Sequence, residues 1–240
     1  MSSIENIKFA VKSYLDRKET PYAIMIDGDW GVGKTHLFKH EIVPVIGDGE
    51  CIYISLFGLK TIQDIENEIF KTISCVGEDE GGFFKGLLNS NAEVVEDVKI
   101  GGLGYAVQFG LKKWKSTKLK QSKALTLCFD DIERWEGDVG ICLSYINKIV
   151  EHDNGKCIII GSVKQVAEDS YNKLTSAKEK TIRHIYKLET KASEVFKTAL
   201  KLVEFSDLDS SEYIKRLLTS NMPRLKNLID KSDYKNVRVV

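Results

Sequence analysis

The sequence predicts an α/β domain, a parallel sheet with helices on both faces, followed by a helical tail. Three observations carry that expectation. Short apolar runs at Tyr22–Ile26 (YAIMI), Cys51–Phe57 (CIYISLF), Ala124–Phe129 (ALTLCF) and Cys157–Ile160 (CIII) alternate with segments of helical periodicity. Strands covered on both faces read as such runs, and strand–helix alternation gives parallel pairing by crossover connections. A glycine-rich loop, Gly28–Gly33, separates the first run from a helical segment. From about Lys191 the pattern is purely helical.

Taken in order, Ile4–Leu15 places Ile4, Ile7, Val11, Tyr14 and Leu15 on one helical stripe. Asp16–Thr20 is a charged break before Pro21 and the first strand. The helix after the glycine loop runs from about Lys34 to Val43, with Leu37, Phe38 and Ile42 inward, and Pro44 is expected to end it. Cys51–Phe57 is the second strand. Thr61–Ser74 is an amphipathic helix using Ile62, Ile65, Ile69 and Ile73. Between about residues 75 and 122 the composition shifts to glycine, an acidic stretch at Glu78–Glu80 and a lysine cluster, which reads as an insertion. Ala124–Phe129, a helix over Ile141–Val150, Cys157–Ile160 and a fifth strand at Ile185–Leu188 complete the core, residues 1–190. Residues 191–240 carry helices at Val195–Phe205, Ser211–Leu218 and Leu225–Ile229.

Composition narrows the function classes. Lys plus Arg and Asp plus Glu both number 35, so no global charge advertises a nucleic-acid or membrane partner. The cysteines, Cys51, Cys75, Cys128, Cys142 and Cys157, form no C-x-x-C pair and mostly sit in apolar runs, which suits buried thiols in a reducing cytoplasm. The N-terminus lacks the basic and apolar regions of a signal peptide. The longest weakly polar stretch, Ile100–Leu111, holds four glycines and Gln108 and is too short to span a bilayer as a helix.

The chemistry lies in two motifs. Gly28-Asp29-Trp30-Gly31-Val32-Gly33-Lys34-Thr35 fits G-x-x-x-x-G-K-[ST], the phosphate-binding loop of nucleoside triphosphatases. Its glycines let backbone N–H groups surround a phosphate chain, and the following helix points its positive end at the same anion. Lys34 supplies a mobile charge near the terminal phosphates, and the Thr35 hydroxyl is a ligand for Mg²⁺. His36, next along the helix, is grouped with the nucleotide contacts. His36 and His40 have i, i+4 spacing but no third metal ligand, so a structural role is expected of the pair. The second motif is the strand ending Cys128-Phe129-Asp130-Asp131. Asp130 is expected to hold Mg²⁺ and Asp131 to orient or deprotonate water, with Glu133 a weaker candidate for that task. Asp131 is shorter than the glutamate often found there, which predicts slow hydrolysis. No N-K-x-D motif is visible, so ATP rather than GTP is the expected nucleotide.

GDWGVGKT followed by CFDDIER resembles the KAP-type P-loop NTPases, within the AAA+/STAND-like ASCE assemblage; Trp30 and Arg134 are the discriminating residues. The likeness covers about Ile4–Leu188, interrupted at 75–122. It implies that Ser162, after the fourth strand, senses the γ-phosphate, a serine capping the next segment being the alternative. It implies an arginine finger at Arg183, reaching a neighbour's nucleotide in a homo-oligomer. It makes residues 191–240 an incomplete helical lid, with Arg238 as the lid's sensor arginine and Arg224 a rival for that label. Membrane helices common in such proteins have no counterpart here. The implied function is a Mg²⁺-dependent ATPase that drives or times an assembly, in keeping with the phage-defence associations of bacterial KAP-like proteins. The alternatives are an ATP-dependent oligomerisation or signalling module acting on an effector protein, and a nucleic-acid-associated ATPase. The last would need Lys112, Lys113, Lys115, Lys118, Lys120 and Lys123 to be a binding surface rather than a solvated face.

Overall fold

A computed structural model of the chain describes residues 3–46, 51–76, 126–153, 155–177, 180–189 and 216–231. The helices are α1 (Ser3–Asp16), α2 (Lys34–Leu37), α3 (Val43–Ile46), α4 (Ile62–Val76), α5 (Val139–Glu151), α6 (Glu168–Ser176) and α7 (Met222–Lys231). The strands are β1 (Ala23–Asp27), β2 (Cys51–Ser55), β3 (Thr126–Asp130), β4 (Lys156–Gly161) and β5 (Ile182–Lys187). The strands form one sheet in the order β2-β3-β4-β1-β5, every neighbouring pair parallel. The expected parallel α/β sheet is present.

Strand side chains alternate between two cores, as the pleat requires. Ala23, Met25, Ile52, Ile54, Leu127, Phe129, Cys157 and Ile159 face one side, with Ile65 and Ile69 of α4 and Cys142, Leu143 and Ile146 of α5. Ile24, Ile26, Cys128, Ile158 and Ile160 face the other, with Ile7 and Val11 of α1 and Leu37, Ile42 and Ile46 of the helix after the loop. Burial on both faces explains the unbroken apolar run at β4, whose six residues are all buried.

The structure corrects several boundaries. Pro44 does not end the helix. Phe38–Ile42 is a π-helical stretch, closed by the Val43 N–H donating to the Phe38 carbonyl, and the helix continues through Pro44 to Ile46. The wider turn relieves the clash between a proline ring and the preceding carbonyls. Strand β5 begins at Ile182 rather than Ile185, so Thr181 is buried at its entry and Arg183 lies inside the strand. Helix α6 has no counterpart among the elements expected from sequence. The residues assigned to an insertion, from position 77 on, the lysine cluster, the segment Val195–Phe205 and Arg238 lie outside the described residues, and α7 covers the segment read as Leu225–Ile229. Among the described residues no helix is long and apolar enough to cross a membrane.

Candidate functional site

All five strands run in one direction, so their C-terminal ends gather the functional side chains at one edge. After Asp27 the chain enters the glycine loop, with Gly31 at φ 77° and Gly33 at φ 92°, a region L side chains rarely adopt. Gly28 is needed for space. A Cβ there would stand 3.0 Å from the Leu188 carbonyl oxygen and from Val32 Cγ1. Val32 is buried in the core below and anchors the loop. Lys34 is folded under it. Its Nζ donates to the carbonyls of Gly28 (2.7 Å) and Asp29 (3.1 Å). Burial lowers the lysine's pKa, opposed by the charges of Glu133, Asp130, Asp27 and Asp131. Asp29 pairs with Lys164 at 3.2 Å. His36 is exposed and its ring lies 4.3 Å from that of His40. Among the described residues no cluster of three or more His, Cys, Asp or Glu could hold a metal ion.

The second motif meets the first through one hydrogen bond. Thr35 Oγ1 donates to Asp130 Oδ2 at 2.7 Å, joining residues 95 positions apart. Asp130 is 1% exposed, and three donors satisfy it: Thr35, the Tyr53 hydroxyl (2.7 Å, also to Oδ2) and the Asp131 backbone N–H (2.8 Å, to Oδ1). Tyr53 is a site residue that sequence reasoning misses. Its only signal is the half-buried position in β2, paired across the ladder with Cys128. Asp131 has φ 61°, the one non-glycine with positive φ among the described residues. Ser55 Oγ donates to its Oδ2 at 3.3 Å, and Arg134 Nε lies 3.7 Å from its Oδ1. Burial raises the carboxyl's pKa, and the charges of Asp130 and Glu133 add to the rise.

Because β4 lies between β1 and β3, its exit falls between the two motifs. Ser162 is there, 1% exposed, and its hydroxyl is buried with no hydrogen-bond partner. Its backbone N–H donates to Glu133 Oε2 at 3.0 Å, and the Val163 N–H donates to Asp27 Oδ1 at 2.8 Å. Glu133 Oε1 accepts from Trp30 Nε1 at 2.7 Å. The Arg134 guanidinium stacks 5.2 Å from the centroids of both the Trp30 and Phe57 rings. The two residues that set the sequence apart, Trp30 and Arg134, thus belong to one cluster.

The structure brings together the loop Gly28–Thr35, Asp130, Asp131 and Ser162. It does not bring Arg183 to them. Arg183 follows Ile182, which pairs with Ala23 at the far end of β1, and its guanidinium lies 5.2 Å from the Tyr22 ring centroid. The residues fit a magnesium nucleotide. Thr35 and Asp130 offer a hydroxyl and a carboxylate, the hard oxygen ligands Mg²⁺ takes. Ser162 offers an unpaired buried hydroxyl. Asp27, Asp29, Asp130, Asp131 and Glu133 outnumber Lys34, Lys164 and Arg134 around the loop, so its surroundings are net acidic.

The sequence profile of the KAP family P-loop domain matches residues 4–238. The chain belongs to that family. The match runs past the expected limit at Leu188 and takes in the helical tail. A domain whose parallel sheet leads from β1 into this loop has the α/β P-loop NTPase fold. Comparison with curated proteins gives no match. Among solved structures, the chain is similar to a DNA replication initiation factor (18% identity, 98% of this chain and 62% of that one, TM-score 0.44). It is also similar to the Orc1 protein of Aeropyrum pernix, solved with DNA (12%, 98% and 61%, 0.48). A third is domain III of the replication initiation protein DnaA from Thermotoga maritima (18%, 95% and 82%, 0.46). The chain spans about three fifths of the length of the first two.

Proposed function

We propose that this KAP-family domain binds ATP with Mg²⁺ on the Gly28–Thr35 loop and hydrolyses it slowly, the cycle driving or timing an assembly. The observation that carries the reading is the Thr35–Asp130 hydrogen bond, which puts both proposed magnesium ligands at the mouth of the loop that buries Lys34. Bound there, Mg²⁺ would neutralise charge on the phosphates. Lys34 would leave the Gly28 and Asp29 carbonyls for phosphate oxygens, and Ser162 Oγ would gain its missing partner. Asp131 is the water-orienting carboxylate in this reading, because its contacts to Ser55 (3.3 Å) and Arg134 (3.7 Å) are longer than the 2.7 and 3.0 Å hydrogen bonds that hold the two oxygens of Glu133. The test is calorimetric titration of ATP with and without Mg²⁺, together with steady-state turnover. Asp131→Asn is expected to keep nucleotide and lose about two decades of turnover, the effect of removing a general base. Normal turnover in that variant would overturn the assignment of Asp131.

The second reading is an ATP-dependent oligomerisation or signalling module with little turnover, partnered by its own copies or by an effector. It is favoured by one observation: Asp131 is short and already engaged by Ser55 and Arg134. Binding without measurable hydrolysis in the unmodified chain decides for it. Arg183, remote from its own loop, can serve the chemistry only in trans, as a finger in a neighbour's site. Turnover per chain that rises with protein concentration, and loses that rise in Arg183→Ala, is the expected result; concentration-independent turnover makes it a surface charge. The phage-defence association of bacterial KAP-like proteins suits either reading.

A further inference from the structure

Glu133 ties together three segments far apart in sequence. Its Oε1 takes the indole N–H of Trp30 at the loop tip, and its Oε2 takes the backbone N–H of Ser162 at the exit of β4. Two donors face two acceptors, which a carboxylate satisfies and an amide does not. The close approach depends on Gly161. A Cβ there would stand 2.7 Å from Glu133 Oε2 and would collide with the Ile132 side chain. The residues on either side of the bridge need it. The Ser162 hydroxyl has no partner of its own, so backbone contacts alone place it. Trp30 is 43% exposed, so its own burial does little to fix it.

We propose that Glu133 is a positioning residue for the triphosphate site. It fastens the tip of the phosphate loop to the exit of β4, and so sets the gap between the loop and the Ser162 hydroxyl. It does not act on water. The proposal rests on the ATP reading above. Its consequence is a loss of turnover larger than the loss of affinity when the bridge is broken, because the loop and Lys34 remain while the spacing to Ser162 changes.

The experiment is a double-mutant cycle between Glu133→Gln and Trp30→Phe. Glutamine keeps the shape but sets an N–H against one of the two donors. Phenylalanine removes the indole donor and keeps a ring beneath Arg134, so in that background the glutamine oxygen can turn to Ser162. Glu133→Gln alone is expected to lower kcat about tenfold, the order of one mismatched hydrogen bond to a charged group, with KM for ATP changed less. Trp30→Phe with Glu133→Gln is expected to be no worse than Trp30→Phe alone, a rescue that independent structural damage does not give. Additive losses would overturn the bridge. A loss of about a hundredfold in Glu133→Gln, unrelieved by Trp30→Phe, would make Glu133 the base instead. The same cycle is read in urea unfolding of the nucleotide-free chain. If the unmodified protein binds no ATP, the ATP reading fails, while coupling between the two sites in unfolding still reports whether the bridge exists.

Discussion

Lys34 and Lys156 are the buried lysines among the described residues, and they sit at opposite ends of the sheet. Burial lowers the pKa of both, Lys156 to about 8 with the Arg17 charge adding to the fall. Both donate to backbone carbonyls. There the likeness stops. Lys156, at the start of β4, gives its three protons to the carbonyls of Tyr14 (3.1 Å) and Arg17 (2.5 Å) and to Thr20 Oγ1 (2.7 Å). It closes the C-terminal end of α1, whose last turn has no basic residue of its own. Lys34 has two carbonyls, both in a glycine loop, with acidic side chains around it. One cation is held by three acceptors at the end of a helix. The other is held by acceptors that a phosphate would outcompete. On the proposed reading the same buried ammonium is a staple at one end and a ligand group at the other, and the number of its acceptors separates the two.

Replacing Lys156 with Met removes the staple. The apolar stem is kept, while three hydrogen bonds from a charged donor are lost. Such bonds are worth roughly 1.5–3 kcal/mol each, and the lysine's desolvation cost is recovered, so a net loss of about 3 kcal/mol is expected. For a chain of this size that is on the order of 10 °C in the thermal midpoint. ATP affinity of the folded fraction should not change. A fall in affinity at constant stability would mean that the two ends are coupled, and the division between staple and ligand group would be wrong.

Replacing Lys34 with Ala is the reciprocal change. ATP affinity should drop by about one to two decades, the worth of one charge-assisted contact. Stability without nucleotide should change by less than about 1 kcal/mol, because the loop carbonyls regain water and a desolvated charge is removed. Calorimetry and urea unfolding on the same preparation separate the two quantities. Unchanged affinity would remove the phosphate loop assignment altogether.

Half of this comparison is legible in the sequence. Lys34 stands in a motif whose spacing points to its proposed task, and the strands feeding the motif are apolar runs. Lys156 stands in no motif. Its partners lie 136 to 142 positions away, and only the fold brings them together. Sequence places Glu133 below Asp131 as a water-orienting group but offers no other task for it, since its bond to Trp30 spans 103 positions. Helix α6 is polar almost throughout, with Leu174 fully buried and no apolar stripe to detect. Pro44 misleads because a proline normally stops a helix, and the π-helical stretch that tolerates it leaves no mark in composition.

Titration of Lys156 is expected to give a smaller effect than either substitution. Lys156 has a pKa of about 8 in the folded chain against an ordinary 10.5. Between those values the unfolded chain holds a proton that the folded chain has released. Folding stability therefore rises with pH across that window, and the penalty for keeping Lys156 charged is fully present below pH 8. From pH 7 to pH 9 the gain is about 1 kcal/mol. Other groups titrate in the same range, so the quantity to measure is the difference between the unmodified chain and Lys156→Met in urea unfolding at pH 7, 8 and 9. That difference should grow in favour of the unmodified chain as pH rises, and Lys34→Ala should leave it unchanged. A difference that stays flat would mean that the three acceptors hold the ammonium charged through the whole range. Lys156 would then be a permanent cation capping the end of α1 rather than a buried amine poised near neutrality.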